Sequence, residues 1–341
     1  MISFYPEELD AARWLDLSTQ SSCLNLLQTW EYGEAKKHTS PWKVERGILR
    51  RGDTPIGVAQ VFLRTLPLGL GGLAWINRGP ISVEPGKNET ACFTAFSAAL
   101  ISHYVKDRGL YLRMAPPLDV DTISPDMIEA AGLKCADTMG WASARLDLRL
   151  PLNEIRAGLH RKWRGHLNRA ERSPLTLREG TGPEVLDVFL SDHKNLIEQK
   201  GFETSVTPEL LQTMQNLLPE SQKMLAIIAQ DESQHVGSVL IAVYGKTAEY
   251  LAGNTSATGR KQGAGQLLLW RAIEILKQRG VETLDVSGMD PIYTPKGILT
   301  FKQGLSGTPY RLMNSVYAGD AGIVNRLIHW RVDKALTPHS G

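Results

Sequence analysis

Arg260-Lys261-Gln262-Gly263-Ala264-Gly265 is the run in this chain best suited to holding an anion, and it leads straight into Gln266-Leu267-Leu268-Leu269-Trp270. Glycine lets a backbone come close to a phosphate, and the free amides of a helix's first turn point at it. Arg260 and Lys261 add positive charge, so Arg260, Gly263 and Gly265 are candidate donor-binding residues. A plain glycine-rich helix start fits the same letters. A second basic element spans 159–172, where Arg161, Lys162, Arg164, Arg169 and Arg172 stand against the single acid Glu171, with Trp163 as a stacking surface among them. Such a stripe tracks phosphates, which makes Arg161 and Arg164 candidates for binding a polyanion. A solvated charged helix face is the competing reading.

Several other chemistries drop out. Gly69-Leu70-Gly71-Gly72-Leu73-Ala74 satisfies a dinucleotide fingerprint, but strand-like Trp75-Ile76-Asn77 stands where a helix must begin. No P-loop, zincin or nucleophile-elbow motif is present. Cys23, Cys92 and Cys135 are odd in number and far apart, so they form neither a disulfide framework nor a metal knuckle and read as small buried hydrophobes.

The elements that must position these residues alternate along the whole chain. Trp42–Arg51, Pro55–Leu66 and Gly71–Arg78 read as strands, Thr90–Arg108 as a helix closed by Gly109, and Gly109–Met114 as a strand. The second half repeats that order with strands at 223–230, 236–244 and 248–253, a helix over 265–279 closed by Gly280, and a strand over 281–286. Gly57 and Gly237 lie 180 residues apart, Trp75 and Tyr250 175, and Gly109 and Gly280 171. That slow drift is the mark of a duplicated fold, although two unrelated α/β halves share the order. Helical signals over 153–172, from 181 to about 200 and from Thr207-Pro208 onward lie between the halves.

Length and composition agree with this picture. At about 150 residues per domain, 341 residues imply two domains. Hydrophobic residues at 42% and charged residues at 22% exclude a disordered or fibrous chain. A net charge of +2 hides the concentration of cations in 159–172. No apolar run approaches the 18 or so residues of a membrane span, so stable membrane insertion is not expected. Met1–Glu8 lacks a secretory pattern, and with the sparse cysteines this gives the expectation of a reducing cytoplasm.

The Arg260–Gly265 loop, set between a strand and a helix, resembles the pyrophosphate loop of the GNAT acyltransferases. Leu284-Asp285-Val286-Ser287-Gly288 followed by Lys296–Gly307, together with Gln28–Lys36 and Leu159–Ala170, is similar to the Fem family, whose members are tandem-GNAT aminoacyltransferases that use aminoacyl-tRNA to modify peptidoglycan precursors. The resemblance implies an α/β fold of mixed sheets in two GNAT-like domains, taken here as 1–150 on the acceptor side and 151–341 on the donor side. With only Pro174–Gly182 between the basic helix and the next, the coiled-coil arm of the larger members is missing.

By the same resemblance, Lys302 after Phe301 lies at the reaction centre, Lys36 contacts acceptor phosphates, and Tyr250 contacts substrate. Trp30 belongs to the matched amino-terminal segment, and Arg78 ends a strand that helps to cradle the acceptor. A fixed ammonium stabilises the oxyanion formed when an amine attacks an ester, and it binds a phosphate equally well. Asp285 and Asp290 are the candidate bases for the amine's proton, Asp285 fitting a turn cap as readily. The implied reaction joins an aminoacyl ester to an amine, with aminoacyl-tRNA as donor partner, an amine acceptor, no cofactor and no metal. Acyl-CoA as donor is the alternative, and the oligomeric state is left open.

Overall fold

Alternating apolar residues in β2 (Lys43–Arg51) and β3 (Thr54–Thr65) pair antiparallel across the Gly52 turn, with Ile48 opposite Val58. β4 (Gly72–Asn77) extends this sheet, and β1 (Ile2–Pro6) lines its outer side. α1 (Ala11–Ser18) and α2 (Trp30–Thr39) precede β2, while the two-residue β5 (Ile81–Ser82) pairs with β3. α3 (Glu89–Leu100) runs on through a π-turn over 101–107 and stops at Gly109, whose φ of 64° is left-handed as the C-cap reading requires. β6 (Tyr111–Ala115) then pairs parallel with β4. Phe93, Phe96 and Leu100 of α3 pack with Leu49, Val61 and Ile76 of the sheet, while Trp14 and Leu17 of α1 pack with Ile48 and Val58. α4 (Pro125–Ala130) and β7 (Lys134–Cys135) complete this stretch.

The computed structural model describes residues 2–7, 9–84, 89–201, 204, 206–319 and 322–336. A second unit begins at β8 (Ala142–Asp147), α5 (Leu152–Gly158) and α6 (Arg161–Ala170). β9 (Thr176–Gly180), α7 (Pro183–Lys200) and α8 (Pro208–Leu217) lead to β10 (Leu225–Asp231), β11 (Gln234–Tyr244) and β12 (Thr247–Thr255). α9 (Ala257–Gln262), α10 (Ala264–Gln278), β13 (Thr283–Asp285), α11 (Lys296–Gln303) and β14 (Thr308–Arg311) follow. The first unit's last elements are β15 (Val316–Ala318) and α12 (Ile323–Leu336). Leu268, Leu269, Ala272, Ile273 and Leu276 of α10 share a core with Ile227, Val239 and Ile241 of the sheet.

The duplicated order is present in the topology. One sheet runs β1-β2-β3-β4-β6-β15-β7 and the other β14-β8-β13-β12-β11-β10-β9. In each, three antiparallel strands are followed by a helix and a parallel strand, and Gly57 and Gly237 occupy equivalent strands, as do Trp75 and Tyr250.

The units themselves differ from 1–150 and 151–341. One comprises Met1–Trp141 with Arg311–Gly341, and the other Ala142–Tyr310. β8 pairs with β13, so residues from 142 onward join the second unit, and β15 returns from the far end of the chain to pair with β6. Such long-range completion of a sheet leaves no trace in local periodicity. The helix expected over 153–172 is also broken, at Leu159-His160, where the His160 amide donates to the Gly304 carbonyl at 3.0 Å. Of the cysteines, only Cys92 is buried; Cys23 is intermediate and Cys135 exposed.

The returning segment supplies the partner of a buried charge. Arg113 of β6 is fully buried, lies 2.8 Å from Asp333 of α12 and donates to Ser315 at 3.0 Å. Removing Asp333 leaves a guanidinium buried without its counter-charge, a loss of about 3–5 kcal/mol. Asp333→Ala is expected to lower the thermal midpoint accordingly, and a midpoint within a degree or two of the parent would contradict this role.

Candidate active site

β12 and β13 form a parallel ladder of only three residue pairs, from Thr247 opposite Thr283 to Glu249 opposite Asp285. β12 runs on to Thr255 without that partner, while the chain after β13 turns through Val286-Ser287-Gly288. A bulge at this point pairs Tyr250 with Ile241 and Ala252 with Leu240, leaving Leu251 extra. Bulges of this kind re-aim side chains beside functional sites. In the first unit, the corresponding ladder pairs Leu73–Asn77 with Tyr111–Ala115, nearly all of β4, so only the second unit opens its parallel pair.

Lys302 of α11 fills the opening. Only 8% of it is exposed, and its Nζ donates to the carbonyls of Ser287 at 2.8 Å and Gly288 at 3.2 Å. Nζ also lies 5.4 Å from the centre of the Tyr250 ring. Burial pulls the ammonium down to about 8, against the opposing pull of the Asp285 and Glu249 carboxylates. The Tyr250 phenol is pushed up by burial to about 12 and stays protonated.

The carbonyls that hold Lys302 are themselves held. Ser287 has a left-handed φ of 59°; its amide donates to Asp285 Oδ1 at 2.8 Å and its hydroxyl to Glu249 Oε1 at 3.2 Å. Asp285 also accepts from Ser143 and Tyr310, each at 2.5 Å, and the Arg145 guanidinium lies 4.0 Å over the Tyr310 ring. Asp285 is therefore a buried acceptor engaged by three donors and fixes the turn, as the cap reading of this residue has it. Asp290 accepts from the amides of Ile292 at 2.8 Å and Tyr293 at 3.2 Å. Phe301 points the other way, 6.1 Å from Trp163 between ring centres, and packs against the second unit's core.

The glycine-rich run forms the junction of two helices, as its reading as a plain helix start has it. Residues 260–262 are wound into α9, and Gly263, at φ 84°, ends that helix and starts α10. A Cβ on Gly263 would come within 2.6 Å of the His166 carbonyl of α6, and one on Gly265 within 3.3 Å of Phe301. Both glycines thus admit protein packing, and Arg260 donates to the Thr255 carbonyl at 2.6 Å.

The two faces of α6 differ in character. Trp163 is buried to 3% exposure, so it is a core residue and not the stacking surface its charged neighbours suggested. Its Nε1 has no hydrogen-bond partner among the described residues. Outward, Glu171 is claimed by Arg156 at 2.5 Å, and among the described residues no acid pairs with Arg161, Lys162, Arg164, Arg169 or Arg172. Arg164 donates to the Ala157 carbonyl at 2.8 Å and Arg169 to that of Lys261 at 3.3 Å, so the stripe continues into Lys261 and Arg260 of α9.

The first-unit candidates belong to that unit's own structure. Lys36 of α2 is drawn below the usual lysine range by burial and lies 5.9 Å over the Tyr32 ring. The Trp30 ring stacks on Arg46 at 3.7 Å, while Arg46 bonds Glu34 and Gln60, each at 2.8 Å. Arg78 is buried, has φ 50° and lies 4.6 Å over Trp141. Sequence reasoning passed over Glu249, Ser143 and Tyr310. An acid inside the apolar strand 248–253 was the available signal for Glu249; Ser143 and Tyr310 carried none.

Residues 157–295 match the family model described as the acetyltransferase (GNAT) domain. Among curated protein sequences, no relative matches the chain. The crystal structure of FemX is similar in fold, with a TM-score of 0.78 at 14% identity over 96% of this chain and 100% of that one. A tandem GNAT protein from the clavulanic acid biosynthesis pathway superposes with a TM-score of 0.52 at 14% identity, over 94% of this chain and 98% of its own. The C-terminal domain of a putative lysylphosphatidylglycerol synthetase from Agrobacterium fabrum gives 0.53 at 15%, over 82% and 85%. The fold is the Fem-like tandem GNAT fold, two GNAT-like units with no coiled-coil arm among the described residues, where β9 alone lies between α6 and α7. No described helix is long and apolar enough to cross a membrane.

Gly263→Ala tests the packing role of the loop. Its positive φ and the His166 carbonyl both oppose a Cβ, so a loss of about 2 kcal/mol or more is expected in denaturant unfolding. Unchanged stability would return Gly263 to the role of an open anion loop.

Proposed function

We propose that this protein is an acyltransferase that joins an aminoacyl ester, carried by aminoacyl-tRNA, to an amine acceptor with formation of an amide. The observation that carries the reading is the Lys302 ammonium, held at the opening between β12 and β13 by the Ser287 and Gly288 carbonyls, in the same unit as the outward cations of α6. As the acceptor amine attacks the ester carbonyl, negative charge collects on the carbonyl oxygen. An ammonium already desolvated and oriented by two carbonyls stabilises that charge without reorganising. The attack forms the C–N bond, and collapse of the adduct re-forms the carbonyl and breaks the ester C–O bond, expelling the ribose oxygen, which takes up a proton as the amine loses one. Asp285 acts here through the turn it fixes, and the amine's proton passes to the leaving oxygen or to solvent. Arg161, Arg164, Arg169 and Arg260 would follow the phosphates of the donor's acceptor end. Lys36, Trp30 and Arg78 are the first unit's proposed contacts to the acceptor, a peptidoglycan precursor or a small amine metabolite, in the cytoplasm.

A second donor, acyl-CoA, is favoured by the GNAT family match over 157–295. Against it stands the packing of the run on the protein itself: a Cβ on Gly263 would meet the His166 carbonyl, and Arg260 donates to the Thr255 carbonyl.

Incubation with labelled aminoacyl-tRNA or acetyl-CoA and pooled amine acceptors separates the two. Transfer from charged tRNA alone is expected, and consumption of acetyl-CoA without use of charged tRNA would overturn the proposal. Lys302→Met is expected to lower turnover by about 10²–10³-fold. Because the charged form is the active one, kcat is expected to fall as pH rises through about 8. A rate that rises through that pH would make Lys302 a base. Replacing Arg161, Arg164 and Arg169 with Gln is expected to raise KM for tRNA and flatten its salt dependence, by about one unit of slope for each phosphate no longer neutralised.

A further inference from the structure

α12 turns half-buried Val324, Ile328 and Val332 toward its unit together with polar groups, and leaves large apolar side chains exposed on the other side. Its inward positions carry polar groups: Asn325 is buried, His329 Nδ1 shares a hydrogen bond of 2.7 Å with the Tyr111 hydroxyl, and Asp333 pairs with Arg113. Its outward positions carry Ile323, Leu327 and Trp330, the last two each 59% exposed, interleaved with exposed Arg326, Arg331 and Lys334 and with no acid. Lys334 Nζ lies 5.5 Å over the Trp330 ring. In the same unit, the loop between β3 and β4 raises Leu66, Leu68 and Leu70 into solvent, Leu68 at 95% exposure. A Cβ on Gly71 at the end of that loop would lie 3.7 Å from Val324 Cγ1, so the loop adjoins the first turn of α12.

Large apolar side chains clustered on a surface mark a binding face. The charge between them selects the occupant. A second copy docked face to face would set the three cations against their own equivalents. Leucine, isoleucine and tryptophan alternating with arginine and lysine is the composition of a helix lying in a membrane interface, its rings and aliphatic chains among acyl chains and its cations at anionic headgroups. We propose that the outward face of α12, with Leu66, Leu68 and Leu70, docks this protein on an anionic phospholipid surface. The contact is peripheral, and it stands independently of the donor and acceptor assigned above.

Sedimentation of the full chain with vesicles tests this. Binding to phosphatidylglycerol–phosphatidylcholine vesicles is expected, with little binding to phosphatidylcholine alone and loss at high salt. Leu68→Glu with Trp330→Glu, and separately Arg326→Gln with Arg331→Gln and Lys334→Gln, are each expected to weaken binding by about tenfold or more. All five side chains are exposed, so unchanged thermal unfolding is the control for folding. Failure of the parent to bind anionic vesicles would overturn the proposal, as would equal binding by the parent and both variants. A dimer that Trp330→Glu dissolves, with no vesicle binding, would assign the face to a second copy instead.

Discussion

An ammonium withdrawn from water must be given other oxygen atoms, and the second unit is organised around doing so for Lys302. The carbonyls of Ser287 and Gly288 reach it only because Ser287 takes a left-handed conformation, which costs a non-glycine residue about 1–3 kcal/mol and persists only under external restraint. Asp285 and Glu249 supply the restraint through the Ser287 amide and hydroxyl. Asp285 in turn depends on Ser143 from β8 and Tyr310 from β14, the two strands flanking β13 on its far side. Four strands and α11 therefore converge on one Nζ. The result is a cation largely desolvated, as the proposed reaction requires, yet supported enough to remain charged near neutrality.

α6 connects this centre to a surface. Its inner residue Trp163 packs against Phe301, the neighbour of Lys302, and the edge of that indole leaves room for no side chain at Gly304. Its outer residues carry cations whose one nearby acid is neutralised by Arg156. One short helix thus packs against α11 on one face and carries a row of cations on the other. The near-neutral total charge of the chain conceals this arrangement, because electrostatic recognition depends on local density and not on the sum.

Much of the fold was readable from local pattern. The strands around Gly52 and the helices ending at Gly109 and Gly280 are written in periodicity and left-handed caps, and their repetition made the duplicated topology visible. The exchange of β8 and β15 was not readable, since pairing between residues such as Val316 and Met114 is a tertiary event with no local signature. The break at Leu159-His160 escaped for the same reason, being held by a carbonyl of Gly304 far along the chain. At the site, Lys302 and Asp285 are legible through motifs, but their relation is not: Asp285 fits both a base and a turn cap in sequence, and the hydrogen bond from the Ser287 amide shows it capping the turn that holds Lys302. Gly263 and Gly265 fit both an anion loop and a plain helix start in sequence, and in the fold each lies where a side chain would crowd the protein itself. In each case the letters specify a local capability, and which partner exploits it is decided by packing.

The electrostatic state of Lys302 is the point on which the account rests, and it is open to direct observation by NMR titration of the lysine side chains, with Lys302→Arg to assign the resonance. The ammonium is expected to titrate near pH 8, and lower in Glu249→Gln, where one supporting carboxylate is gone. A Lys302 that titrates with the ordinary surface lysines, and that does not respond to Glu249→Gln, would contradict the account.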